Sequence, residues 1–234
     1  MEETLAEQSA PFLDYLQGWL ASMPQPALSQ VMADPQNTAL ISVDVIQGFC
    51  TAGPLASPHI ARIIAPIVDL MRHVWDNGLR HIILCQDTHE HDALEFNHYP
   101  PHCLRGSAES QAVAEIQALP FYTQMTVLEK NSINSGLNTG LDAWLAAHHQ
   151  VDTFIVVGDC TDLCTYQLAM HLRLGANARQ LQRCVIVPAD CVETYDLPLK
   201  IAAQGVLPHP ATLLHAVFLY HMAINGVEVI SRLA

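Results

Sequence analysis

From Asn37 onward the chain alternates short β-branched apolar runs with stretches whose apolar positions recur at helical spacing. The runs are TALISVDV, HIILCQD, MTVLE, TFIVVGD, CVIVPAD and finally VEVIS. Between them, helical patterns cover residues 60–77, 108–119, 141–149, 163–176 and 211–225. Strands apolar on both faces and alternating with helices need cover from both sides, which predicts a doubly wound α/β fold with a mostly parallel sheet of about six strands. In such sheets the ligand crevice lies beyond the carboxyl ends of the strands. Those ends deliver Asp44, Asp87, Lys130, Asp159 with two cysteines just after it, and Asp190.

Residues 1–36 stand apart as an N-terminal helical extension and linker, with 37–234 as one domain. In PFLDYLQGWLASMP, Leu13, Leu16, Leu20 and Met23 share helical spacing, with Trp19 alongside, and a Pro-broken segment follows. A helix packed on the core or on a neighbouring subunit is expected. Membrane-surface binding is disfavoured because the polar face lacks Lys and Arg.

Composition narrows the class. The 234 residues are 50% hydrophobic, enough for one large domain with its own core. Only 14% are charged, against about 25% in ordinary soluble domains, which points to surface hidden in a homo-oligomer. A net charge of −13 without a basic stripe argues against nucleic acid. The longest apolar stretch, 213–229, is broken by His215, His221 and Asn225, so no membrane span is expected. The start, MEETLAEQ, lacks the charge and apolar order of a signal peptide. With seven cysteines, an odd number, reduced thiols in the cytoplasm are the expectation.

The chemistry concentrates in two places. VVGDCTDLC sets Cys160 and Cys164 four apart at a strand end. A structural zinc site wants a second close pair, which Cys50, Cys85, Cys103, Cys184 and Cys191 do not form, and no C-x-x-C is present. Thr161 or Asp162 could cap a helix beginning near Leu163 and put Cys164 in its first turn, where the dipole favours thiolate. The plainer alternative is a small buried hydrophobe. Asp44 and Lys130 end other strands at the same sheet edge, where the carboxylate could take the thiol proton and the ammonium hold the carboxylate. Taken singly, either reads as a solvated charge. The second place is QDTHEHDALEFNHYPPHCLRG, where Asp87, His89, Glu95 and His102 offer oxygen and imidazole ligands, with His91 and His98 also available. This set suits Zn, Mn or Fe(II); histidines scattered on a surface loop are the alternative.

From about Thr38 to the C-terminus the chain resembles the isochorismatase-like cysteine hydrolases, and among them the metal-containing nicotinamidases. ISVDVIQGFCTAGPL, VLEKNS and VVGDCTDLC set Asp44, Lys130 and Cys164 at the family's catalytic triad. The D-x-H of Asp87 and His89, with His102 in YPPHC, matches the metal ligands; Glu95 stands where some members add another, and zinc is the metal implied first. The resemblance implies an oxyanion hole from the backbone N–H groups of Cys160 and Cys164, with a cis Asp159–Cys160 peptide, and a ring sandwiched by Phe49 and Tyr99. Relatives usually carry a Gln and an acid where this chain has Ile46 and Gly48, and an aromatic residue where Leu137 stands.

The function implied is hydrolysis of a small cyclic amide through a thioester, nicotinamide to nicotinate and ammonia first. N-carbamoyl amidase or isochorismatase-type chemistry is the alternative within the superfamily. A metal-water hydrolase and a non-catalytic binding module are the rivals from other classes.

Overall fold

The structure is a computed structural model, and it describes residues 3–234. Among the described residues seven strands form one parallel sheet: β1 (Thr38–Val43), β2 (His81–Asp87), β3 (Thr126–Lys130), β4 (Thr153–Asp159), β5 (Cys184–Pro188), the two-residue β6 (Val192–Glu193) and β7 (Glu228–Ile230). Their order is β3-β2-β1-β4-β5-β7, with β6 added on β4. The six apolar runs of the sequence each supply one strand; β6 is too short to show a period.

The described residues also form eight α-helices: α1 (Leu5–Ala21), α2 (Leu28–Val31), α3 (Gln47–Cys50), α4 (Ile64–Asp76), α5 (Ala114–Gln117), α6 (Leu141–Ala147), α7 (Cys164–Ala178) and α8 (Ala211–Ile224). Side chains alternate across a strand, so each strand feeds two cores. Leu40, Ile82, Leu84, Ile155 and Val157 pack with Ile67, Met71 and Val74 of α4 and Ile116 of α5 on one face. Ile41, Val43, Ile83, Phe154 and Val156 pack with α6, α7 and α8 on the other, through Leu141, Leu168, Leu172, Leu219 and Met222. The edge strand β3 has one exposed face, with Val127 46% exposed, yet its last residue, Lys130, is only 1% exposed.

The helix expected over 108–119 is shortened to the single turn of α5. Its first half is spent on the α3 segment instead: Gln47 N–H donates to the Gln111 carbonyl at 2.9 Å, and Gly48 N–H to the Glu109 carbonyl at 2.9 Å. Those pairings hold 109–111 in a turn against α3, with one turn bond from Gln111 N–H to the Ala108 carbonyl at 3.1 Å in place of a continuing helix.

α1 docks on α8. Leu16 is buried, and Trp19 meets Tyr220 edge-on with ring centroids 5.3 Å apart. Leu20 and Met23 also reach the core, whereas Leu13 is exposed. The following linker is strapped to the chain's last residues: Ser231 N–H donates to the Pro24 carbonyl at 2.9 Å, and Leu28 N–H to the Ala234 carbonyl at 2.8 Å. No helix among the described residues is long and apolar enough to cross a membrane. All seven cysteines are free thiols.

Candidate active site

The strand order reverses between β1 and β4, and a crevice opens beyond their carboxyl ends. Gly158 lets the two ends close up. Its φ is +121°, and a Cβ there would lie 2.0 Å from the Val43 carbonyl oxygen. Asp44, just past β1, has φ +55°, a left-handed conformation that Asp tolerates better than most residues. The turn aims its carboxylate across the sheet, where Oδ1 accepts the Asp87 N–H at 2.8 Å.

Lys130 enters from β3. Its Nζ lies 2.7 Å from Asp44 Oδ2, 2.5 Å from Asp87 Oδ1 and 3.7 Å from Cys164 Sγ. All four side chains are buried. Carboxylate oxygens of Asp44 and Asp87 and the Cys164 sulfur lie within 4.8 Å of one another, and the ammonium occupies the cation position among them. Burial and the Asp87 charge raise Asp44 to about 7 despite Lys130. Burial would lower Lys130, but the two carboxylates lift it well above its ordinary value, so it stays charged. Burial also pushes the Cys164 thiol well up, with Lys130 opposing.

α7 starts at Cys164, but neither expected cap is used: Leu163 is the N-cap and contributes no side-chain bond. Asp162 Oδ1 instead accepts the Thr194 hydroxyl at 2.6 Å, and its Oδ2 lies 2.7 Å from His209 Nε2; Thr161 Oγ1 lies 2.8 Å from His215 Nδ1. These contacts tie the cysteine loop to the segment that closes the far side of the crevice. The Asp159–Cys160 peptide is cis. Neither the Cys160 nor the Cys164 N–H donates to a protein acceptor among the described residues. The Cys160 thiol is buried, and burial pushes it well up as well.

Beside Lys130, ligand atoms of Asp87, His89 and His102 lie within 4.8 Å of one another. His89 Nδ1 lies 3.0 Å from Asn131 Oδ1, an oxygen that also accepts the Glu90 N–H. His102 Nδ1 lies 2.8 Å from the Pro100 carbonyl. Both acceptors demand a proton on Nδ1, which leaves both Nε2 lone pairs free. His89 Nε2 is fully buried and has no hydrogen-bond partner. An orphaned imidazole nitrogen, two oriented rings and a carboxylate fit a divalent ion. Glu95 stands further out, with Oε1 4.0 Å from His89 Nε2.

The crevice is a cavity of about 630 Å³. Phe49, Tyr99, Tyr195 and Leu163 line it, with Cys160, Cys164 and Asp159 at the sheet end. Tyr195 stacks on His209 at 3.8 Å, so the Asp162–His209 pair also seats a cavity wall. Leu137 is 59% exposed and is not among the lining residues, so its departure from the family leaves the cavity untouched. The departure at Gly48 has a local cause: a Cβ would lie 2.5 Å from Cys103 Sγ and 3.1 Å from Glu109 Cβ. The space is taken by Glu109, whose Oε2 accepts the Cys103 N–H at 3.0 Å beside His102.

Sequence reading missed Glu109, Asn131, Tyr195 and His209. Asn131 follows Lys130 directly and could have been found by asking what orients His89. The others carry no local signal, because each acts from a distant segment.

The family model of the isochorismatase domain matches residues 38–207. Nicotinamidase 1 of Arabidopsis thaliana is 30% identical over 217 residues, spanning 85% of this chain and 87% of its own. A cysteine hydrolase from Pseudomonas syringae pv. phaseolicola 1448A superposes with a TM-score of 0.69 at 23% identity, over 84% of this chain and 89% of that one. The pyrazinamidase of Pyrococcus horikoshii, solved in complex with zinc, superposes with a TM-score of 0.64 at 19% identity, over 83% of this chain and 98% of that one. At these identities the two structures share the fold.

Proposed function

Since the chain belongs to the isochorismatase family, we propose that this amide-bond hydrolase cleaves a small ring carboxamide, nicotinamide first, through a thioester on Cys164. The observation that carries the reading is the buried Lys130 ammonium shared by Asp44 and Asp87, 3.7 Å from the Cys164 sulfur at the end of the cavity.

Asp44, near neutral in its proton affinity, takes the thiol proton as Cys164 attacks the amide carbon. The Cys160 and Cys164 N–H groups, which no protein acceptor engages, receive the developing oxyanion. Collapse expels ammonia, which takes its proton back from Asp44. Water, deprotonated by Asp44, then cleaves the thioester, and Asp44 returns the proton to the departing Cys164 thiolate. Phe49 and Tyr99 hold the ring. Asp87, His89 and His102 would hold a divalent ion, zinc foremost, with Glu95 or a water completing the set. Such an ion supplies a Lewis acid that anchors the substrate ring.

Seven free thiols support a reducing compartment, the cytoplasm. Exposed Leu174, Leu199 and Ile224 support self-association. Ammonia release from a panel of nicotinamide, N-carbamoyl amino acids and simple aliphatic amides tests the reading. Nicotinamide is expected to turn over fastest; no release from any amide would overturn it.

A further inference from the structure

Asp159 ends β4 directly before the cysteine loop and is only 1% exposed. It lines the cavity beside Cys160 and Cys164. Its Oδ2 is fully buried with no hydrogen-bond partner. The other buried aspartates are all matched: Asp44 and Asp87 share Lys130, and Asp162 has Thr194 and His209. Lys130 is committed to its two carboxylates and the sulfur. A buried carboxyl without a partner carries an uncompensated desolvation cost, which an apolar side chain on the same sheet face, such as Val157, does not incur. A group kept at that cost, in a cavity wall beside a nucleophile, is explained by a ligand that meets it.

We propose that Asp159 is a specificity-determining residue whose carboxyl receives an N–H donor carried by the substrate in addition to its reacting amide. The proposal rests on the amide-hydrolase reading and names the substrate class within it: small ring amides that also bear an amino, lactam or ureido N–H. Burial and the Asp44 charge raise Asp159 well above its ordinary value, and a neutral carboxyl still accepts an N–H at its carbonyl oxygen. A donor is favoured over an acceptor by the charge balance. Asp44 and Asp87 share one Lys130, so a neutral Asp159 still sits beside excess negative charge, and a substrate atom carrying partial positive charge is drawn to this wall.

The test compares nicotinamide with its ring-amino derivatives, a set of isomers that each add an N–H donor at a different ring position. Binding is read by isothermal titration calorimetry in a Cys164→Ala background, so turnover does not enter. At least one amino isomer is expected to bind about tenfold more tightly than nicotinamide. Asp159→Leu should erase that advantage, and Asp159→Asn, which keeps a carbonyl oxygen, should preserve most of it. Asp159→Leu should also raise Tm, because it removes an unpartnered buried acid. No preference for any amino isomer, a preference that survives Asp159→Leu, or a fall in Tm in both variants would overturn the proposal. Ammonia release from nicotinamide by the unaltered enzyme reports on the parent reading separately.

Discussion

Lys130 is where a single residue matters most. The sequence marks it as a strand-end lysine that could hold the Asp44 carboxylate, at the position of the family's catalytic lysine; the structure adds that it is buried and pairs with two carboxylates. Lys130→Met keeps the bulk and removes the charge, leaving Asp44 and Asp87 buried and unpaired. Breaking a buried pair in this way costs about 3–5 kcal/mol. A chain of this size should lose roughly 2–4 °C of Tm per kcal/mol, and activity should fall by about a hundredfold or more. Unchanged melting and turnover would mean Lys130 is only an edge charge. The resting state of Cys164 also departs from expectation. Helix dipole and cation were expected to favour thiolate, but burial pushes the thiol well above its ordinary value. In the proposed mechanism the proton is therefore removed during the attack, with Asp44, raised to about 7, as its acceptor.

At the scale of elements, strands were legible and the loops that orient ligands were not. A strand's apolar run is written in consecutive residues, whereas Glu109 acts on the loop at Cys103 across a segment whose helical pattern is overridden by pairing with α3. The same clamp bears on the proposed metal ligands. His89 N–H donates to the Cys103 carbonyl at 2.9 Å, so Glu109 helps to place both His89 and His102. His102→Ala should empty the site by elemental analysis, Glu95→Ala should weaken metal binding less, and Glu109→Ala should weaken it about 10–100-fold, as losses of ligand-orienting partners do. Full metal occupancy in His102→Ala would remove this site from the mechanism.

The Asp162–His209 pair belongs to the same scale, joining the cysteine loop to the wall at Tyr195. Burial opposes both charges, yet the partners win: His209 and Thr194 bring Asp162 below its ordinary value, and Asp162 lifts His209 above its own. The lowered Asp162 contributes stability above the ordinary value of 3.8, lost as pH falls through its folded value. The raised His209 contributes below the ordinary value of 6.5, lost as pH rises through its raised value. The pair therefore works fully between those limits. The Tm gap between the native enzyme and His209→Gln should be widest near pH 6 and narrow by about pH 9. The His215–Glu193 pair nearby is present in both proteins and cancels in the comparison. A gap independent of pH would assign His209 to packing alone.

For the molecule as a whole, the parallel sheet and the place of the crevice were readable because both follow from strands apolar on two faces. The reversal of order between β1 and β4 brings Asp44, Asp87, Lys130 and Cys164 from four strand ends to one point. Neither the two-residue β6 nor the strap joining residues 24–28 to the C-terminus has a sequence period, and both arise only once the sheet exists. What the assembled crevice does depends on which of its two adjacent thiols attacks. The most direct test is the rate of ammonia release from nicotinamide by Cys164→Ala and Cys160→Ala, with folding of both checked by melting. Cys164→Ala should abolish turnover while Cys160→Ala, which keeps the backbone N–H, retains most of it. Comparable losses in the two folded variants, or turnover that survives Cys164→Ala, would contradict a mechanism built on Cys164.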